Sequence, residues 1–514
     1  MALLAALALS PAVASAADGA GSGVEHLHFA AGPYKVTPGA NLILLDYKRV
    51  PKPTEDGFMV RMAPNLRYAR PDGKCCGKVP LTSVIHLHHG VWLSNGTAGE
   101  GEGDGFGGWY PFMASGEEKT VYEFPAGYGY PIGARDYWVL NYMIHNLTAR
   151  PAMVYITYDI DFIPATSPLA STITPVHPIW MDVEDHHIYP VFNVRRHSGR
   201  HGVFTFPDMA KDPYGGSSPL NRLTIDHAGT LVGTAGHLHP GGLYDELDLI
   251  RAGDSARGGA IRGPVRNSVR LFRSYAHYFD PGGPISWDVA MTATAPNWRP
   301  QVEPGDVLRI SATYDTRRAS WYEVMGIMVV WEAWGDTRGT DPFTHALDQK
   351  GHITHGHLPE NNEHGGTAWI GVNPTAIPDC AAKRVLIAGF RYLPGDFRGT
   401  GSDRCIPTVP RGHSITFVNE DASPFGTFGN LLAPNPFYLQ SVFHTVTSCA
   451  GPCNRNYGIS YPLASGLFDS GQLGIGTPGV GRLTWKTPRN LPPGTYTFFC
   501  RIHPWMRGVF RIVR

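Results

Sequence analysis

From residue 24 onward the chain is written in short alternating or β-branched runs punctuated by Pro and Gly, among them NLILLDYKRV, TSVIHLHHGVWL, DYWVLNYMIHNL and AMVYITYDIDFI. No other feature limits the fold so strongly. Period-two alternation buries one face of a strand, whereas a helix needs a 3.6-residue apolar repeat, and no long segment of that kind occurs. The 61 Gly and 44 Pro supply turns without a collagen period, which favours many short strands over helical bundles. At 514 residues the chain exceeds one hydrophobic core, so an all-β protein of three domains is expected.

The breaks follow composition. IPATSPLASTITPVHP (163–178) is too rich in Pro, Ser and Thr to join a ladder or bury much surface, and it divides a first β region, 24–165, from a second, 176–340. The polar, Gly-rich and His-rich stretch 341–375 is read as a second linker, and 376–514 as the last domain. Residues 1–16 carry a short apolar run ending in Ala14-Ser15-Ala16, the small-x-small pattern of a signal-peptide cleavage site, although no Lys or Arg precedes it. Export to the periplasm or outside the cell is the expectation. No later segment reaches the roughly 18 apolar residues of a membrane span. The 43 basic and 43 acidic residues cancel, which offers nothing to nucleic acid and suits a small neutral substrate. Of seven cysteines, Cys380 with Cys405 and Cys449 with Cys453 are candidate disulfides, the adjacent Cys75-Cys76 is open, and Cys500 is left over.

Cys500 lies in GTYTFFCRIHPWMRGVFRIV, where Cys500, His503 and Met506 are spaced on the loop leaving a strand, and His444 opens another strand in FHTVTS. Two imidazoles, a thiolate and a weak thioether hold copper in both oxidation states with little rearrangement. Residues 376–514 thus resemble the cupredoxins, closest to the amicyanin and plastocyanin type, and the resemblance implies a Greek-key sandwich with His444, Cys500, His503 and Met506 on a type-1 copper. In multicopper oxidases and copper nitrite reductases, histidines beside that cysteine lead electrons to a second copper centre. Here the neighbours are Phe499 and Arg501, so those families are the runner-up.

Upstream, VIHLHHGVWL contains His86, His88 and His89, NYMIHNL contains His145, GTAGHLHPGGL contains His237 and His239, and WYEVMGIMVVW contains Met325 and Met328. Strand periodicity puts His86 and His88 on one face with His89 opposite, and it projects His237 and His239 together. The order of an adjacent His-His, a single His, a His-x-His and a Met resembles the copper type II ascorbate-dependent monooxygenases, the peptidylglycine and dopamine monooxygenase family, over about residues 30–335. HHGVWL, LNYMIHNLT and THGHLPENNEHGG are also similar to the stress-up-regulated nodulin family. The first resemblance implies two jelly-roll-type sandwiches with two mononuclear type-2-like coppers, one on His88, His89 and His145, the other, catalytic, on His237, His239 and Met325. His88 and His89 then converge through a bulge made easy by Gly90, with His86 as the spare. Glu323 resembles the acidic residue before that family's Met, and strand parity puts Met328 on the opposite face from Met325.

Imidazole suits both copper oxidation states, and a thioether favours Cu(I), the state that meets O2. A hydroxylation also needs a second electron source, which a second copper and the appended cupredoxin are expected to supply from a small reductant or redox protein. The family's carboxylate anchor is replaced here by Ala235, Ile327 and Val329, which argues against a peptidylglycine substrate and for a neutral one. The remaining clusters are read mostly as solvated turns: His352, His355, His357 and His364 in the linker, and Asp182, Glu184, Asp185, His186 and His187 in MDVEDHHIYP. The expectation is an exported copper monooxygenase acting on a small organic molecule. The alternatives are an electron-transfer protein without oxygen chemistry and a multicopper oxidase or nitrite reductase-like enzyme.

Overall fold

The computed structural model describes residues 23–514 other than 39–42, 49, 83, 97, 103–104, 149, 185–190, 209–220, 252–266, 281–282, 359–372, 423–442, 452, 454–461 and 475–481. The segment 1–16 read as a signal peptide lies outside the described residues, as do Asp185, His186, His187 and His364. The fold is all-β. Among the described residues the only helical elements are 3-10 turns at Pro168–Thr172, Pro374–Ala376 and Gly401–Asp403.

In the first β region a six-stranded sheet is built around Glu25–Val36, Ala152–Pro164 and Gly57–Tyr68, and a four-stranded sheet runs Leu44–Asp46, Trp138–Asn146, Ile85–Ser94, Tyr110–Gly116. Aromatic rings join the two sheets. Trp92 meets Tyr158 edge-on at 5.4 Å between centroids, and Phe112 stacks on Tyr130 at 4.6 Å, all four almost wholly buried. Each such ring removes 150–250 Å² from water, so these pairs dominate the core.

The second region is an eleven-stranded antiparallel assembly that includes His177–Asp182, Gly326–Trp334, Gly229–Leu238 and Val289–Thr294 as successive neighbours. Its Gly326–Trp334 strand, the run GIMVVWEAW, is buried on both faces. Ile327, Val329 and Trp331 enter the first core, whereas Met328 and Val330 enter the second. A strand covered on both sides reads as continuous apolar sequence, and here that run fuses the two β regions. Met325 lies in the first core and Met328 in the second, as strand parity requires.

The carboxy-terminal region has a six-stranded sheet containing Gly494–Phe499 and Arg507–Val513 and a four-stranded sheet containing Arg384–Ile387 and Thr416–Asn419. They enclose Phe417, Phe443, Phe498 and Phe510. Cys380 is bonded to Cys405, Cys449 to Cys453 and Cys75 to Cys76, while Cys500 is free and buried. The region is docked on the second one: Ser320 N donates to the Ala464 carbonyl at 2.9 Å, and Leu463 enters the second core.

Both linker readings need correction. Thr174–Pro175 pairs in parallel with Tyr128–Gly129, with Thr174 N donating to Gly127 O and Val176 N to Gly129 O. The ladder tolerates Pro175 because the flanking residues supply the donors at a sheet margin. Within 341–375, Gly351–Ile353 adds as an exposed strand to Thr292–Thr294, since any backbone can satisfy an open sheet edge.

Candidate metal centres

The Ile85–Ser94 strand pairs with Trp138–Asn146, which sets His86 directly opposite His145, and the register slips by one residue between Leu87 and His89. The bulge expected near Gly90 is therefore present, but it has a different consequence. His88 is the extra residue. Its ring stacks on His145 at 4.2 Å, and that of His86 lies 5.1 Å from His145. The ligand nitrogens of His86, His88 and His145 lie within 4.8 Å of one another. His89 turns away, its Nε2 3.2 Å from Asn141 Oδ1. Of the expected trio, His88 and His145 come together while His86 takes the place expected of His89, because strand parity wins up to the bulged residue and the bulge re-aims only that one side chain.

His237 is the penultimate residue of the Gly229–Leu238 strand and His239 follows that strand, with the two rings 4.8 Å apart and nearly perpendicular. His239 stacks on His88 at 3.9 Å, and His88, Glu117 and His239 bring ligand atoms within 4.8 Å. The two expected sites are joined through His88. Burial of the seam between the β regions is the cause, since both sets of histidines project into it. Gly116 permits the approach: a Cβ there would lie 2.5 Å from His237 Cε1 and 2.4 Å from the His88 carbonyl oxygen.

Sequence reasoning missed the groups that aim these rings. His239 Nδ1 lies 2.6 Å from Glu117 Oε1, His237 Nδ1 lies 2.9 Å from Glu118 Oε2, and His86 Nδ1 lies 2.7 Å from the Thr82 carbonyl. The Thr82 carbonyl and the Glu118 carboxylate can only accept, so Nδ1 carries the proton on His86 and His237 and Nε2 keeps its lone pair. All three Nε2 atoms are buried without a hydrogen-bond partner, as are both nitrogens of His88 and Nδ1 of His89. Buried imidazole nitrogens left this way call for a ligand, and the carboxylate–histidine arrangement is the one that orients metal-binding histidines. Nothing in GEEKT marks Glu117 and Glu118 as buried, because acidic pairs beside Lys are ordinarily exposed turns.

Electrostatics favour the same use. Burial lowers the pKa of His86 to about 4 and of His89 to about 3, and burial plus neighbouring histidines hold His88, His145 and His239 well below the ordinary value. Neutral imidazoles are the ligating form. Burial and the adjacent Glu118 raise Glu117 well above the carboxylate range, whereas at Glu118 the effect of burial is outweighed by His237 and its pKa falls.

Met325 is fully buried where the strand breaks between Trp321–Val324 and Gly326–Trp334. With His89 and Ile327 it lines a cavity of about 330 Å³. Ala235 and Val329 join Ile327 beside His237, so the position of the absent carboxylate anchor is packed with apolar groups.

In the carboxy-terminal region His444, Cys500 and His503 bring their ligand atoms within 4.8 Å of one another. Cys500 Sγ is 3.4 Å from His503 Nδ1 and 3.9 Å from His444 Nδ1, and all three are wholly buried. Met506, also fully buried, closes the loop: Met506 N donates to His503 O and Cys500 N to Met506 O. His444 Nε2 lies 2.9 Å from Asp421 Oδ2, and Asp421 accepts from Gly389 N and Phe390 N. Thr445 N donates to Cys500 Sγ at 3.3 Å. Burial opposes charge on both His444 and Cys500, but Asp421 and the thiolate raise His444 to about 9, and His503 and His444 hold Cys500 well below the usual thiol value. A ready thiolate with two Nδ1 donors fits a soft, redox-active metal.

A cavity of about 120 Å³ is bounded by His88, His145 and His239 on one side and, on the other, by Phe499, Arg501 and Pro504, the chain neighbours of Cys500 and His503. Arg501, next to Cys500, lies 3.5 Å from Glu323 Oε1 and sits over the Tyr322 ring.

The discounted clusters have structural partners. His355 bonds through Nδ1 to Gly356 O and through Nε2 to the Glu118 carbonyl, His357 Nδ1 is 2.6 Å from Asp288, and His352 lies on the exposed Gly351–Ile353 strand. Asp182 accepts from Trp180 Nε1 and Glu184 N.

No family model matches the chain, and no curated protein matches it. Among solved structures it is similar to a Cu-containing nitrite reductase (NirK) from Thermus scotoductus SA-01, at 14% identity over 55% of this chain and 55% of that chain, with a TM-score of 0.15. It is also similar to infectious bursal disease virus, Gx strain, at 9% identity over 65% of this chain and 74% of that chain, with a TM-score of 0.15. The chain spans about half the length of that reductase, and likenesses this slight carry no argument. The residues themselves define the class: an all-β chain with two buried clusters able to hold metal.

Proposed function

We propose that the chain is a copper-dependent oxidoreductase in which the His444, Cys500, His503 and Met506 site passes single electrons to one imidazole centre formed by His86, His88, His145 and His239, with His89 and His237 beside it. The observation that carries this reading is the set of buried, partnerless Nε2 atoms on His86, His237 and His239, each ring held through Nδ1. Copper supplies one-electron redox chemistry and O2 activation. The protein's part is to hold the rings neutral, keep them dry and fix the separation of the two centres around one cavity. We infer O2-dependent hydroxylation of a small neutral organic molecule as the reaction: one oxygen atom enters a C–H bond, the other leaves as water, and two electrons and two protons are taken from an external donor and solvent. The uncharged cavity at His89 and Met325 supports an organic substrate.

The cavity against His88, His145 and His239 favours a second reading, reduction of a small inorganic acceptor without an organic substrate. Copper-loaded protein given a reductant and 18O2 separates them. Label in an organic product supports hydroxylation, and O2 or nitrite consumption with no labelled product supports the second reading.

A further inference from the structure

The cavity beside His89 and Met325 is larger than the one between the centres, and no charged side chain lines it. One wall is the face of the four-stranded sheet that carries His89, Val91 and Leu93, with Val139 and Asn141 on the next strand. Phe106, Trp109 and Trp180 form an aromatic wall, and Phe106 and Trp180 meet edge to face at 6.3 Å. The mouth is marked by Leu45 and Tyr47, large side chains left 46% and 51% exposed. At the floor, His89 Nε2 lies 3.2 Å from Asn141 Oδ1 while its Nδ1 is buried with no partner, and Met325 lines the same cavity.

These properties select an occupant. An uncharged, apolar wall rejects a carboxylate or ammonium, which would lose its hydration without compensation. A dry apolar cavity of about 150 Å³ holds benzene, and this one is about 330 Å³, enough for two fused rings. The aromatic wall offers edge and face contacts to a planar ligand. The single polar corner, at His89 and Asn141, can receive one hydroxyl or N–H.

We propose that this cavity binds a neutral bicyclic aromatic molecule bearing at most one small polar group, with that edge turned to His89 and Met325. Its role as substrate rests on the copper oxidoreductase reading, but its binding does not.

Calorimetric titration of the copper-free full chain at pH 7 with 2-naphthol and with 2-naphthoate tests it. The expected result is saturable binding of 2-naphthol and roughly tenfold or weaker binding of 2-naphthoate, about 1.4 kcal/mol or more. Val91→Phe, which fills the cavity, removes 2-naphthol binding. A crystal soaked with 6-bromo-2-naphthol gives a test independent of that variant's folding: bromine density between Val91 and Trp180 supports the proposal. Absence of 2-naphthol binding, equal binding of the anion, or bromine placed elsewhere overturns it. Because copper is absent throughout, failure here leaves the copper reading standing, and failure to load copper leaves this pocket standing.

Discussion

The imidazole of His88 stacks on that of His239, with ring centroids 3.9 Å apart and planes 25° from parallel. His88 comes from the first β region and His239 from the second, so neither region alone completes the centre. The double-sided burial of Gly326–Trp334 holds the regions in that relation, and it makes the site depend on packing at the seam.

Glu118→Gln and Glu117→Gln remove the carboxylates that orient His237 and His239. Loss of such a partner typically weakens metal binding by about 10–100-fold. Chelator competition should show that loss in the imidazole centre, with copper affinity at the Cys500 site unchanged. Equal loss at both centres, or none, would count against the assigned roles.

Gly116→Ala places a methyl group within 2.5 Å of both His237 Cε1 and the His88 carbonyl. The strand must shift, at a cost of about 1–3 kcal/mol, and His237 moves with it. Thermal unfolding should report the lower stability and metal titration the weaker centre. Gly356→Ala, where a Cβ meets nothing within 4 Å, is the neutral control.

Stability should fall as pH rises through the neutral range because of Glu332. It is fully buried, and burial, then the Glu102 carboxylate beside it, raises its pKa to about 10. A raised folded-state pKa contributes stability that is complete below the unfolded value near 4.3 and is lost as pH climbs toward the folded one. Glu332→Gln should match the parent near pH 4 and exceed it by about 1–3 kcal/mol at pH 8. Denaturant midpoints across that range check the sign; a variant less stable at pH 8 would reverse it.

Arg501 joins the residue after Cys500 to the strand that leads into Met325, through its ion pair with Glu323, both about 12% exposed. Gln472 Nε2 also donates to Glu323. Glu323→Ala leaves Arg501 without that partner, at a cost of about 1–3 kcal/mol, and loosens the docking of the carboxy-terminal region. Flash-initiated electron transfer between the centres should slow while the blue absorption is retained. An unchanged rate would remove this contact from the route.

The strand rhythm made the all-β fold legible, and the spacing of Cys500 and His503 with His444 made the carboxy-terminal cluster legible, because a single loop and one segment bridged to Leu473 carry it. The imidazole centre was legible only as a set of histidines. Whether His86 or His89 joins His88 depends on a one-residue bulge, and the meeting of His88 with His239 depends on how two β regions pack, which no local period encodes. Glu117, Glu118 and Asp421 were invisible for the same reason: their importance comes from burial against residues 23–122 positions away.

The most direct measurement is spin quantitation by electron paramagnetic resonance on oxidised protein of known copper content. One type-1 signal accounting for only part of the copper, with the rest silent through coupling at the joined imidazole centre, is the predicted result. Full visibility of every copper as an isolated ion, or retention of copper by the Cys500 site alone, would contradict a single convergent centre.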